Sequence, residues 1–371
     1  MSPPLRLRQL QVLHRHGDRT PLRNVFKGTA LAELEECKRW TPKLPLSEQL
    51  MQLGSTYRVK KVEGAHDPFQ TRPFGYLTTT GIKQMTARGD SLRTFCESEA
   101  FPFGLLVGND IQIFSNSYTR TQLSVQALLR GLLRDKPLVT PQVQVLAPDR
   151  DIINTYASFP EIAMLQTNLE SESEELKFRE NEMEPRKREM MRMLPVFADA
   201  SAAAAPFTWM AVADYFVCRD AHDIAFIPGT EEHFQASVDH LSFRFHQFYS
   251  HPRILQLVAG RLMQNMLVEI QKVMRNEIDQ KKLIVYSGHD ISILSVLHAI
   301  NATLANDEKW WPDYSSAVSL ELLQDESSGE WFVRTRLDDK ILALRRSSDA
   351  SMYQFDEFRA LIMDKMSGFE E

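Results

Sequence analysis

The sequence predicts an α/β protein, with a mostly parallel central sheet, flanking helices and a helical cap. Three observations lead there. Leu5–Leu13 is an apolar, alternating run, and Lys282–Tyr286 a compact apolar one; each gives way to glycine and polar residues. Ile111–Phe114 is a short strand candidate, followed by a helix over Gln122–Leu133. From Ala147 to about Gln280 strand signals are few and helical spacing dominates.

The first run ends in Val12-Leu-His-Arg-His-Gly-Asp-Arg-Thr-Pro21. Gly17 and Pro21 break the strand. Two His, two Arg and an Asp therefore sit at the carboxyl end of a strand, where open α/β sheets bind ligands. A lone His-Arg pair at such a place is ordinarily a solvated edge. Arg15 and Arg19 beside His16, a glycine and a proline ask for more. Their guanidinium forks match phosphate or carboxylate oxygens, and His16 can act as nucleophile or base. On a regular strand Arg15 and His16 point to opposite faces. Both reach one ligand only if the backbone is irregular from about His14 onward, with His14 itself packed as a structural residue.

Thr29–Arg39 is expected to be helical, and the polar text up to Pro73 to leave the sheet. Thr79 or Thr80 can cap a helix whose Ile82, Met85, Leu92 and Phe95 share a face. Leu105–Val107 and Ile111–Phe114 suggest short strands around Gly108. Arg120 falls near a helix N-terminus, where a cation is unfavourable unless it points outward or meets an anion. The charged run around Arg186-Lys-Arg188 is a solvated amphipathic helix rather than a binding tail. Leu262, Met266, Ile270 and Val273 line a helix face, and the tail from Trp310 to Leu337 alternates as a hairpin on the sheet edge.

The chain has 371 residues, 43% hydrophobic and 25% charged, enough for a sizeable core in one or two domains. The net charge of −6 argues against nucleic acid as a partner. No apolar run reaches the ~18 residues of a transmembrane helix. Met1-Ser-Pro-Pro lacks the apolar centre of a secretory signal, and Cys37, Cys96 and Cys218 make no disulfide framework. These features favour a cytoplasmic setting, unless a leader was trimmed.

Arg15-His16-Gly17-Asp18-Arg19-Thr20-Pro21 resembles the R-H-G-x-R-x-P signature of the histidine acid phosphatases, the branch of the histidine phosphatase superfamily with phytases and lysophosphatidic acid phosphatases. Leu77, Thr78, Gly81 and Gln84 are similar to a second family segment. Ser115, Arg120, Thr121, Ser124 and Gln126 are similar to a third, with Thr119 where an acidic residue often stands. Ser287-Gly288-His289-Asp290 resembles the second catalytic motif. His-Asp pairs recur at His66 and His222, but only this one follows a buried strand and precedes a helix. Trp311, Pro312, Tyr314, Ser315 and Glu321 match a fifth segment. The resemblance implies a phosphoglycerate mutase-like core over 1–32, 74–146 and 261–371, with cap insertions at 33–73 and 147–260. It implies His16 as nucleophile, Asp290 as proton donor, and Arg15, Arg19, Arg120 and His289 around the phosphate. Read from the residues, the same groups suit phosphate monoester hydrolysis: three Arg and a protonated His289 meet the oxygens, and no metal or other cofactor is needed. The lack of an evident Lys/Arg cluster in the cap favours the lysophosphatidic acid phosphatase branch over the phytases.

Two rivals stand. One is a metal-dependent hydrolase using His14, His16 and Asp18, with strand spacing in its favour and Arg15 and Arg19 against it. The other is a protein that binds phospholigands without turnover, against which the intact His16 and Asp290 argue.

Overall fold

The computed structural model describes residues 5–68, 70–101, 106–134, 141–198, 206–344 and 351–366. Strand β1 (Leu5–Arg15) is the axis of the molecule. The other strands are β2 (Val59–Lys61), β3 (Ile111–Ser115), β4 (Val143–Val145), β5 (Leu283–Gly288), β6 (Ala317–Asp325), β7 (Trp331–Leu337), β8 (Lys340–Ile341) and β9 (Tyr353–Gln354). They form one sheet in the order β2-β4-β3-β5-β1-β6-β7-β8, with β9 also on β7. From β2 to β1 every pairing is parallel; β6 to β9 add antiparallel neighbours.

Alternation along the central strands sends side chains into two cores. Leu13, Phe114 and Tyr286 pack with helices Pro252–Met274 and Asp290–Ala299; Val12, Ile113 and Val285 pack with helices Thr79–Ser98 and Thr119–Leu133. Gln9 and Gln11 are buried in β1 and remain satisfied. The Gln9 amide donates to the carbonyls of Glu269 and Lys281, and the Gln11 amide to the Met266 carbonyl and the Gln9 side-chain oxygen. The Gln11 carbonyl oxygen accepts from the Tyr286 hydroxyl.

The middle of the chain is helical, as its spacing predicts, with Glu161–Glu172, Glu174–Met193, Trp209–Asp220 and Phe234–Ser250. Met183, Met190, Leu194, Trp209, Val212, Phe216 and Leu241 give the last three of these helices a smaller core, while Ile162, Leu176, Phe243 and Phe248 join the larger core with Leu13 and Tyr286. The charged run is solvated, with Glu184 pairing with Lys187 and Arg188 along one face. A buried pair between Glu36 and Arg219, braced by the Trp40 indole, ties helix Ala30–Trp40 to these helices. Among the described residues no helix is long and apolar enough to cross a membrane.

Several boundaries differ from the sequence expectation. The text before Pro73 does not only leave the sheet: after helix Ser47–Thr56 it returns as β2, the outer parallel strand. The long helix Pro252–Met274 runs unbroken through 260/261, because the same apolar face serves both layers. Around Gly108 there is one strand, β3, preceded by a short 3₁₀ turn; residues 102–105 lie outside the described set. The cap of helix Thr79–Ser98 is Thr78, whose hydroxyl accepts the Gly81 N–H at 3.1 Å. β1 keeps its ladder with β5 through Arg15, which pairs with Gly288, two residues beyond the last apolar position.

One buried carboxyl makes stability depend on pH. Asp151 lies just before Ile153, whose side chain packs against Gly288, and its Oδ1 accepts the N–H groups of Ile153 and Asn154 at 2.8 and 3.1 Å. Burial outweighs those bonds and pushes its pKa from 3.8 up to about 6. A raised carboxyl pKa means the fold prefers the protonated form. This contribution is therefore present below about pH 4 and lost as pH rises towards 6. Asp151→Asn keeps the acceptor oxygen without the charge. Urea unfolding at pH 4 and pH 7 should show the variant gaining on the wild type at pH 7, by up to about 3 kcal/mol.

Candidate active site

Register brings the site together. Arg15 pairs with Gly288 and Ser115 with Ser287, so β1, β5 and β3 release Arg15-His16, His289-Asp290 and Asn116 side by side at their carboxyl ends. The chain turns at once after β1. The His16 N–H donates to the Gly288 carbonyl at 3.1 Å, and Gly17 then passes against the start of helix Thr79–Ser98. A Cβ on Gly17 would lie 2.4 Å from the Gly81 carbonyl oxygen, and one on Gly81 would lie 2.2 Å from that of Asp18. Only glycine at both positions lets the two backbones touch. This bend, rather than irregular strand from His14, puts Arg15 and His16 in one pocket.

His16 is 2% exposed. Its Nδ1 lies 2.8 Å from the Gly17 carbonyl oxygen, which can only accept. The proton is therefore assigned to Nδ1, and Nε2 keeps its lone pair. Burial, then Arg120, His289, Arg19 and Arg15, hold its pKa well below 6.5, so the ring is neutral in mild acid. Its ring stands edge-on to His289 at 5.3 Å and 5.8 Å from that of Tyr314.

Three guanidinium groups surround it. Arg15 Nη2 lies 3.0 Å from Asp290 Oδ2, Nη1 donates to the Pro312 carbonyl, and the group stacks 4.1 Å from the centre of the Tyr314 ring. Arg19 is held by Asp214 and the Thr20 carbonyl. Arg120, in the first turn of its helix, stacks 4.1 Å from the centre of the Tyr118 ring. Among the described residues its buried Nε and Nη1 have no hydrogen-bond partner. Burial and the nearby Arg19 lower its pKa to about 10. A cation kept buried at a positive helix end, with donors unused, is arranged to receive an anion.

His289 and Asp290 are in different protonation states from those expected. The Asn116 Oδ1 accepts the Tyr118 N–H, which turns its amide nitrogen to His289 Nε2 at 2.5 Å. Nε2 is thus an acceptor, and burial with Arg120 keeps the ring pKa well below 6.5: His289 is neutral, not protonated. For Asp290, burial alone would raise the pKa. Arg15 and His289 outweigh it and hold the group below 3.8, as a carboxylate. The Trp311 indole N–H also donates to its Oδ2, at 3.3 Å.

The other candidates fall outside this cluster. His14 Nδ1 lies 3.0 Å from the Arg15 carbonyl, and burial takes its pKa to about 4, in keeping with a packed residue. Asp18 is bonded to Gln84 and to the Arg19 N–H, with His222 behind it. The three proposed metal donors therefore do not converge. Among the described residues no three His, Cys, Asp or Glu side chains group as a metal site. Sequence reasoning missed Asn116, Asp214 and Tyr118. Tyr314 carried a motif signal; Asp214, on helix Trp209–Asp220 far along the chain from Arg19, carried none.

Residues 6–338 match the sequence pattern described as the histidine phosphatase superfamily (branch 2). The chain belongs to that superfamily. It is accordingly a phosphomonoester hydrolase of the histidine acid phosphatase type. Among its relatives, counting factor 60 of Dictyostelium discoideum is 25% identical over 370 residues, covering 95% of this chain and 85% of that one. Human lysophosphatidic acid phosphatase type 6 is 24% identical over 356 residues, covering 89% and 77%. Hafnia alvei phytase in complex with myo-inositol hexakis sulphate superposes with a TM-score of 0.64 at 13% identity, covering 99% of both chains. Citrobacter braakii phytase gives 0.62 at 14%, covering 97% and 98%. These structures share the phosphoglycerate mutase-like fold.

Proposed function

We propose that this histidine phosphatase hydrolyses phosphate monoesters without a metal, through a phosphohistidine on His16. The observation that carries the reading is the neutral, buried Nε2 of His16 set among Arg15, Arg19 and the unpartnered donors of Arg120. Nε2 attacks phosphorus and the ester P–O bond breaks. The three Arg and His289 meet the phosphoryl oxygens. The leaving alkoxide takes its proton from Asp290; water then attacks the phosphohistidine and returns a proton to Asp290.

Asp290 must be protonated for the first step, yet it is a carboxylate paired with Arg15. The two statements are compatible because a phosphate dianion competes for Arg15. Substrate thus removes the main partner that holds Asp290 ionised, while its own charge disfavours the carboxylate. It also offsets the arginine charges that, after burial, keep His289 neutral. Asp290→Asn cannot give a proton. It should lower turnover of an alkyl phosphate, a poor leaving group, by about 10²-fold or more, and of 4-nitrophenyl phosphate far less. Equal losses on both substrates would remove Asp290 from the donor role.

The substrate we favour carries a single phosphate on an apolar or glycerol-like group, lysophosphatidic acid among them. Support comes from the lysophosphatidic acid phosphatases among its relatives and from the half-buried Tyr118, Tyr314 and Trp311 beside the pocket. Initial rates on lysophosphatidic acid, glycerol phosphate, a nucleoside monophosphate and inositol hexakisphosphate test this. A preference for the last would overturn it.

A further inference from the structure

We infer that Trp311 is a positioning residue for the proton donor, and that the cap helix Phe234–Ser250 holds it in place. The inference rests on Asp290 as donor. Asp290 Oδ2 has two side-chain donors, Arg15 Nη2 at 3.0 Å and Trp311 Nε1 at 3.3 Å. The other oxygen, Oδ1, accepts the Ile291 N–H at 2.9 Å. Arg15 is the donor that substrate phosphate recruits. Once it turns to the phosphate, the indole N–H is the side-chain bond that keeps the carboxyl aimed into the pocket. A carboxyl with no such tether rotates about χ2, which is broad for Asp. A small misalignment of a reacting group costs rate steeply.

Trp311 is fixed from the cap side. The Trp310 carbonyl accepts from the Ser242 hydroxyl at 2.8 Å and lies 3.0 Å from His246 Nε2. The Trp311 ring packs edge-on to Phe245, with centroids 5.4 Å apart. Ser242, Phe245 and His246 all belong to the one cap helix. On the core side the Pro312 carbonyl accepts from Arg15 and the Ser315 N–H donates to the His16 carbonyl at 3.2 Å. The segment 310–315 thus bridges cap and core and carries the orientation of Asp290 between them. The cap is part of the proton-transfer apparatus, beyond any part it has in choosing substrate.

Trp311→Phe keeps the ring against Phe245 and deletes the N–H. Steady-state kinetics should show kcat for an alkyl phosphate falling by about 10-fold, with a clearly smaller loss for 4-nitrophenyl phosphate, which needs little help in leaving. Removing a donor to a carboxylate also raises its proton affinity, so the alkaline limb of the alkyl phosphate profile should move to higher pH. Ser242→Ala, which leaves the indole in place but loosens its anchor, should give a weaker loss with the same leaving-group bias. In the Asp290→Asn background Trp311→Phe should add almost nothing, because both act through one carboxyl. Equal losses on the two substrates in Trp311→Phe, or full additivity with Asp290→Asn, would reduce Trp311 to packing. If Asp290→Asn alone shows the leaving-group bias and Trp311→Phe does not, the donor assignment stands and this inference falls. If Asp290→Asn lacks the bias, both fall.

Discussion

His16→Ala is expected to lower turnover of any phosphate monoester by on the order of 10⁴-fold or more, and to leave no trapped phosphoenzyme. The size follows from what the ring does and where it sits. No other side chain in the cluster offers a neutral, unprotonated nitrogen facing inward, since the Nε2 of His289 is taken by Asn116. Burial and the guanidinium groups keep the His16 imidazole unprotonated as pH falls. Lowering the pKa of a base extends its nucleophilic form into acid, so turnover that depends on His16 should persist below pH 6.5. Protonation of free histidine would already be silencing it there. Rapid acid-free quenching with labelled substrate should reveal a protein-bound phosphate that is stable in alkali and labile in acid, in the wild type alone. A labelled protein surviving in His16→Ala would transfer the nucleophile elsewhere. A binding protein without turnover, the second rival reading, predicts no label in either.

Much of this was legible before any coordinates, and the reason is local. His16 and Asp290 follow strands whose apolar text marks them as buried, and a strand end followed by glycine fixes where the next side chains emerge. The parallel pairing of β1 with β5 then turns two separate motifs into neighbours. Charge states were not legible. Whether His289 carries a proton depends on Asn116, delivered by a third strand, and on Arg120 from a helix. Asp290 is ionised because Arg15 happens to reach it, a contact between sequence positions with no shared pattern. Asp214 and the Ser242–His246 anchor lie on helices Trp209–Asp220 and Phe234–Ser250, in a stretch whose text reads only as mostly helical. Element edges failed for a related reason: β1 runs two residues past its apolar pattern because β5 and β6 supply ladder partners there. β2 escaped notice because three polar-flanked residues carry little strand signal.

Arg120→Met should separate function from stability most cleanly. Its guanidinium stacks on Tyr118 and, among the described residues, leaves Nε and Nη1 unbonded; burial, then the nearby Arg19, lowers its pKa to about 10. That is a cost to the fold, since a buried cation without its full complement of partners is poorly compensated. Replacing it with an apolar side chain of similar reach removes the charge and keeps most of the packing. The midpoint of thermal unfolding, without phosphate, should therefore stay level or rise. Activity should move the other way, by about 10²- to 10³-fold, the loss seen when one donor to a developing oxyanion is deleted. The two readouts together exclude a merely structural role, which would lower both. Ligand linkage supplies a further check: phosphate binds the native state alone and raises the wild-type midpoint, and that rise should shrink in Arg120→Met as affinity for the anion falls. Arg120→Lys should recover only part of the activity, because a single ammonium cannot reproduce the planar, multi-donor guanidinium. An Arg120→Met enzyme with normal turnover would place the residue outside the phosphate pocket, whatever its burial.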